Sequence, residues 1–135
     1  MKINHLIVGC ENLNVSKNFY SEILGFFHID TFIDTGTKKE GYVLVRTEPS
    51  ELEILLVPFA DERLPSPQHI AFEVDNDVFN TILDIANNKN LDVRAMPPLD
   101  CKIKGVGTVE VRGKQYERFY LLDPSRINIE IMKLC

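Results

Sequence analysis

The chain has 135 residues, 44% of them hydrophobic and 26% charged, which suits one compact domain that needs no disulfide or structural zinc to be stable. Its formal net charge of −5 argues against nucleic acid or an anionic membrane as partner, and no apolar run approaches the ~18 residues of a membrane span. Cys10, Cys101 and Cys135 follow no Cys-x-x-Cys spacing and no basic-then-apolar leader opens the chain, so free thiols and a cytoplasmic location are expected.

Residues 2–8 read as a short strand. Asn12 or Asn14 is placed to cap a helix whose apolar stripe is Val15, Phe19 and Ile23, with Tyr20 and Leu24 beside it. Gly25 is placed to end that helix. Three strand-like runs follow, 26–33, 41–47 and 51–57, separated by a polar Gly/Thr/Lys turn and by Pro49-Ser50. The first half therefore reads βαβββ.

Residues 58–67 carry three prolines and three charges and read as a linker. Residues 68–74 form a second opening strand. Asn76 or Asp77 is expected to cap a helix with apolar positions Val78, Phe79, Ile82, Leu83 and Ala86, ended by Asn87-Asn88-Lys89-Asn90. Residues 91–96 read as a strand stopped by Pro97-Pro98. Residues 108–111 and 116–122 pair as a hairpin across Arg112-Gly113-Lys114. Asp123-Pro124-Ser125 is a turn signal, and 127–132 is the last strand. The second half is again βαβββ, with an insertion before its third strand. The chain is one domain, 1–135, built of a first module at about 1–58 and a second at about 67–135. Two copies are too few for a solenoid, so two curled mixed sheets enclosing a pocket are expected.

Each half opens on a histidine and closes on a carboxylate set in an apolar run. His5 stands in Asn4-His5-Leu6-Ile7-Val8, and Glu53 in Leu52-Glu53-Ile54-Leu55. His69 stands in Gln68-His69-Ile70-Ala71-Phe72, and Glu130 in Asn128-Ile129-Glu130-Ile131-Met132. A charged group among apolar neighbours is costly unless something neutralises it. The repeat places the four at matching positions, where one divalent ion could be shared. Imidazole and carboxylate donors suit Zn, Ni, Co, Fe or Mn, and two His with two Glu leave coordination positions open for substrate. His28 has no counterpart in the second half and reads as structural or exposed. Tyr42, Tyr116 and Tyr120 read as packing residues, and Arg46, Arg94 and Arg118 as solvated surface. Gly105-Val106-Gly107 lacks the rest of a phosphate-loop signature.

Over its whole length the chain resembles the vicinal oxygen chelate superfamily, which holds glyoxalase I, bleomycin-resistance proteins, fosfomycin-resistance enzymes and extradiol dioxygenases. The resemblance is carried by Ile3-Asn4-His5-Leu6, by Phe19-Tyr20 through Leu24-Gly25-Phe26, by Gln68-His69-Ile70-Ala71-Phe72, and by Asp123-Pro124 through Asn128-Ile129-Glu130-Ile131. It implies an α+β fold of two βαβββ modules, the glyoxalase/bleomycin resistance/dihydroxybiphenyl dioxygenase fold. It also implies metal ligands at His5, Glu53, His69 and Glu130. Three of these, His5, His69 and Glu130, look like the set of dioxygenases and fosfomycin enzymes; Glu53 makes the set look like glyoxalase I. Gly9 and Val57 stand where glyoxalases often carry glutathione-binding Arg and Asn, and the usual Asp-Pro-x-Gly turn reads Asp123-Pro124-Ser125-Arg126. The implied activity is that of a metal-dependent lyase or isomerase on a small substrate with adjacent oxygens, through an enediolate. Glu130, or else Glu53, would be the base. The alternatives are a dioxygenase, a fosfomycin-type addition, or a drug-binding protein without chemistry. Family members commonly form homodimers.

Overall fold

Among the described residues, each half of the chain folds into a four-stranded mixed sheet carrying one helix. The computed structural model describes residues 5–33, 38–46, 52–58, 69–96 and 102–135, and the chain divides into the units Met1–Ser66 and Pro67–Cys135. The first unit holds β1 (His5–Cys10), α1 (Leu13–Glu22), β2 (Phe27–Ile33), β3 (Glu40–Val45) and β4 (Glu53–Pro58). The second holds β5 (His69–Glu73), α2 (Asn76–Asn88), β6 (Gly107–Val111), β7 (Lys114–Leu122) and β8 (Asn128–Leu134). The strand orders are β1-β4-β3-β2 and β5-β8-β7-β6, so the two halves share one topology. In each, the first strand runs parallel to the last and the remaining pairs are antiparallel. This is an α+β fold of two βαβββ modules.

Strand alternation decides which side chains meet the helix. On β1, Val8 and Cys10 are 1% and 0% exposed, while Ile7 between them is 62% exposed. Ile54, Leu56 and Leu44 continue the apolar face on β4 and β3. Against it α1 lays Ser16, Phe19, Tyr20 and then Ile23. Edge-on ring contacts join Phe19 to Tyr20 at 5.4 Å and Tyr20 to Phe26 at 6.2 Å. Val15, expected in the stripe, is exposed. The inward face is turned by one residue relative to that reading, because Ser16 rather than Val15 shares a side with Phe19 and Tyr20. Asn12 caps the helix, its Oδ1 accepting from Val15 N at 3.1 Å, and Gly25 takes φ +76° shortly past its end.

In the second unit α2 packs Phe79, Ile82 and Ala86 inward, with Phe79 edge-on to Phe119 at 5.0 Å. Phe119, Leu121, Ile129 and Ile131 form the sheet face beneath it. The helix begins one residue earlier than expected. Asp75, not Asn76 or Asp77, is the cap, and its Oδ1 accepts from Val78 N at 2.8 Å. Residues 91–96 do not form a strand. Arg94 alone makes isolated bridges, to Tyr120 and to Lys104. The hairpin of β6 and β7 closes on Arg112 and Gly113 at φ +51° and +77°, the pair of positive angles that a two-residue type I′ turn requires. The turn after β7 is held by Asp123, whose Oδ1 accepts from Ser125 N at 2.9 Å and Ile127 N at 2.8 Å. Of the expected linker 58–67, only Pro58 lies within the described residues, as the last residue of β4. Among the described residues no helix is long and apolar enough to cross a membrane.

Candidate metal centre

The face of each sheet opposite its helix carries the candidate residues. On the first, His5 and Glu53 are register partners across the parallel strands β1 and β4, so their side chains leave the sheet on the same side. His5 is exposed and Glu53 half-buried. On the second, His69 is the register partner of Asn128, and Glu130 of Ala71. Glu130 thus stands two residues further along its strand than the partner of His69, on the same face. The structure brings these two together: His69 Nε2 lies 2.7 Å from Glu130 Oε2.

The registers correct the expected match between the halves. Since both sheets have the same strand order and His5 and His69 each open their first strand, Glu53 is the counterpart of Asn128. The counterpart of Glu130 is Leu55, the register partner of Ile7. The sequence repeat conceals this because Glu53 and Glu130 sit in similar apolar runs, whereas level on the sheet is set by backbone pairing.

Two residues of β7 complete the cluster. Tyr120 is the register partner of Glu130 and Arg118 that of Met132, which puts both on the face of Glu130. Arg118 Nη1 donates to Tyr120 OH at 2.9 Å and to Glu130 Oε1 at 3.3 Å. Its guanidinium also lies 5.3 Å from the centre of the Tyr120 ring. Tyr120 meets His69 edge-on at 5.5 Å. The side chains of Glu130, Arg118 and His69 are 7%, 17% and 44% exposed, so the imidazole is the solvent-facing end of the cluster. Burial, then the negative charge of Glu130, push the Tyr120 phenol up to about 12, against the opposing pull of Arg118. Tyr120 is therefore a neutral phenol at any physiological pH. Arg118 and Tyr120 were expected as solvated surface and packing. Their position twelve and ten residues before Glu130 carries no local signal, and only the β7–β8 register makes them its neighbours.

The second half brings together two donors of the kinds that bind divalent ions. An imidazole nitrogen and a carboxylate oxygen converge, and the other carboxylate oxygen is held by Arg118, as outer-shell groups hold metal-binding carboxylates. Asn128, 6% exposed, shares the face, and its Oδ1 accepts no hydrogen bond among the described residues. Neither half, among the described residues, gathers three or more His, Cys, Asp or Glu side chains about one point. His28 contributes nothing here: it is exposed, lies against the Tyr42 ring at 4.4 Å and approaches Asp30 O at 2.6 Å. Arg46 is exposed and donates to Leu24 O at 3.1 Å, and Arg94 pairs with Asp92 at 2.8 Å. An open cavity of about 660 Å³ lies near the end of α2, lined by Asn87, Asp92, Arg94 and Lys104 among others, and includes none of the four candidates.

The sequence model of the Glyoxalase/Bleomycin resistance protein/Dioxygenase superfamily matches residues 2–86. No curated protein matches the chain. Among solved structures, the oxidase ChaP-H1 is 22% identical, with 98% of this chain and 95% of that one covered at a TM-score of 0.73. A virulence protein from Salmonella typhimurium is 18% identical, with 100% and 98% covered at 0.71. A glyoxylase/bleomycin resistance protein/dioxygenase domain from Frankia sp. EAN1pec is 18% identical, with 100% and 98% covered at 0.69. These likenesses establish the common fold.

Proposed function

Because the chain belongs to the Glyoxalase/Bleomycin resistance protein/Dioxygenase superfamily, we propose that it is a metal-dependent enzyme acting on a small substrate with two adjacent oxygens. The observation that carries the reading is the 2.7 Å approach of His69 Nε2 to Glu130 Oε2, with the second carboxylate oxygen already engaged by Arg118. His69 and Glu130 are the ligands; His5 is added as a third on the sequence resemblance. Glu53, the register partner of His5 across β1 and β4, enters in the second reading below. His69, Glu130 and His5 are a two-His-one-carboxylate set, the kind that the resemblance associates with ring-cleaving oxygenation or epoxide addition.

A divalent ion held there supplies Lewis acidity to the two substrate oxygens. The protein's own work is positional. Arg118 holds the Glu130 carboxylate through Oε1 and donates to the Tyr120 hydroxyl. With Glu130 committed as the sole carboxylate ligand, it is a poor candidate for a mobile base, which weakens the enediolate route for this set.

The glyoxalase-type lyase is the second reading. It is favoured by the adjacency of His5 and Glu53 on one face, which would make Glu53 a fourth ligand and base. Metal titration of wild type, H69A, E130Q and E53Q separates the two. The three-ligand reading expects H69A and E130Q to lose metal affinity ~10- to 100-fold or more and E53Q to keep it. Loss in E53Q as well supports the lyase, to be confirmed by turnover of methylglyoxal with a thiol rather than by oxygen uptake. A wild-type protein that binds no divalent ion sinks both.

A further inference from the structure

The open cavity beside the end of α2 is built around two cations set face to face. Ala95 N donates to Ile103 O at 3.1 Å and Gly105 N to Val93 O at 2.9 Å. Arg94 and Lys104 are bridge partners between those two bonds, which makes them a non-hydrogen-bonded antiparallel pair. Residues so placed have Cα atoms about 4.5 Å apart and side chains on one side of the sheet. Like charges directly opposite each other are destabilising there. The backbone cannot shift to relieve them, because Arg94 also exchanges hydrogen bonds with Tyr120, at 3.1 and 2.8 Å. Asp92 offsets the repulsion in part, its Oδ1 accepting from Arg94 Nε at 2.8 Å. That hydrogen bond, with the charges of Arg94 and Lys104, outweighs slight desolvation and holds the Asp92 carboxyl below its ordinary value. No hydrogen bond or ion pair among the described residues engages the Lys104 ammonium.

We propose that this cavity binds a small oxyanion, a phosphate or carboxylate group carried by a metabolite, between Arg94 and Lys104. Its volume of about 660 Å³ lies within the roughly 300–1,000 Å³ of small-molecule sites. Asn87 and Asn90 supply amide donors and acceptors for the rest of such a ligand, and Leu91 and Val93 an apolar wall. The carbonyls that end α2 would repel an anion, but those of Ile85, Ala86 and Asn87 already accept from Lys89, Leu91 and Asn90. Among the lining residues two cations face one carboxylate, and an anion relieves the repulsion that Asp92 leaves. Asp92 orients Arg94 and at the same time opposes the ligand. Removing its charge and removing that of Lys104 must therefore move affinity in opposite directions, which purely structural roles would not do. The cavity holds none of the four candidate metal ligands, so it stands whether or not a metal binds elsewhere.

The test is a ¹H–¹⁵N chemical-shift titration of the full chain with inorganic phosphate, and separately with acetate, at constant ionic strength. In wild type the amides of Arg94, Lys104 and Gly105 should shift together and saturate with a Kd of roughly 1 mM. K104Q should weaken binding about fourfold, the effect of one unit charge ~5 Å away in water. D92N, which keeps Oδ1 but not the charge, should tighten it about fourfold. K114Q removes the same charge at the far end of β7, roughly 20 Å from Tyr120, and should leave affinity unchanged because salt screens it. Saturating shifts with this order of variants support the site; tighter phosphate than acetate assigns a phosphoryl ligand, and the reverse a carboxylate. Shifts that never saturate, or that fall on other residues, overturn it. So does equal weakening by K104Q and K114Q, or a D92N protein that binds no tighter than wild type. Asp92 and Lys104 are exposed, so neither change threatens the fold; should D92N still fail to fold, K104Q beside K114Q decides.

Discussion

The pairing of Arg118 with Glu130 can be weighed by a double-variant cycle on metal-free protein. Glu130→Gln keeps shape but removes charge, leaving a guanidinium that is only 17% exposed without its counter-ion. Breaking a buried pair costs about 3–5 kcal/mol. Arg118 retains some access to water and its bond to Tyr120 at 2.9 Å, so about 1–3 kcal/mol is expected here. Arg118→Met does the converse. It leaves a carboxylate that is 7% exposed with the imidazole of His69 still beside it, and a similar cost is expected. Each single variant carries the penalty of the orphaned partner, and the double variant carries neither. Its destabilisation should therefore be about 1–2 kcal/mol smaller than the two single effects taken together. Urea unfolding in the presence of a chelator reads all four proteins, with equal slopes required for the comparison. A coupling below about 0.3 kcal/mol, the scatter of independent sites, would refute the pairing of Arg118 with Glu130.

Three further outcomes follow from single residues. Arg126 holds φ +69°, a left-handed conformation that favours glycine; Arg126→Gly should raise stability by about 1 kcal/mol, and a lower melting temperature would contradict it. Asp123→Ala removes the acceptor of two buried N–H groups, of Ser125 and Ile127, and should cost about 2–3 kcal/mol by chemical denaturation, whereas Asp123→Asn, which keeps Oδ1, should cost less. The Tyr120 phenol is raised in the folded state to about 12, above its ordinary value of 10.0. Its contribution to stability is thus fully present below the ordinary value and is lost as pH rises through the folded one, because the unfolded chain releases the proton first. Tyr120→Phe should flatten the fall of stability over that alkaline window, and an unchanged slope would count against the burial argument.

Periodicity and punctuation determined the elements before any coordinates. The apolar run from His5 to Val8 and the alternation in 127–132, the stripe through Phe19 and Ile23, Gly25 after the first helix and Asp123-Pro124 before the last strand are local signals, and local backbone preference suffices to realise them. The same reasoning failed where a local signal was ambiguous by one residue, as at Asp75 against Asn76. It failed too where a strand-like run found only one bridging residue, as at Arg94. The histidines and glutamates were legible as candidates because charge within an apolar run is unusual. Their partners were not. Which side chain stands beside Glu130 depends on how β5, β7 and β8 align, and register is a property of paired strands that no single strand encodes. Register made Glu53 the partner of His5 and carried Arg118 from the expected surface to a half-buried place on the Glu130 face. The kinds of donor were therefore written in the chain, and the electrostatic setting in which they act was decided by hydrogen bonding between strands far apart in sequence.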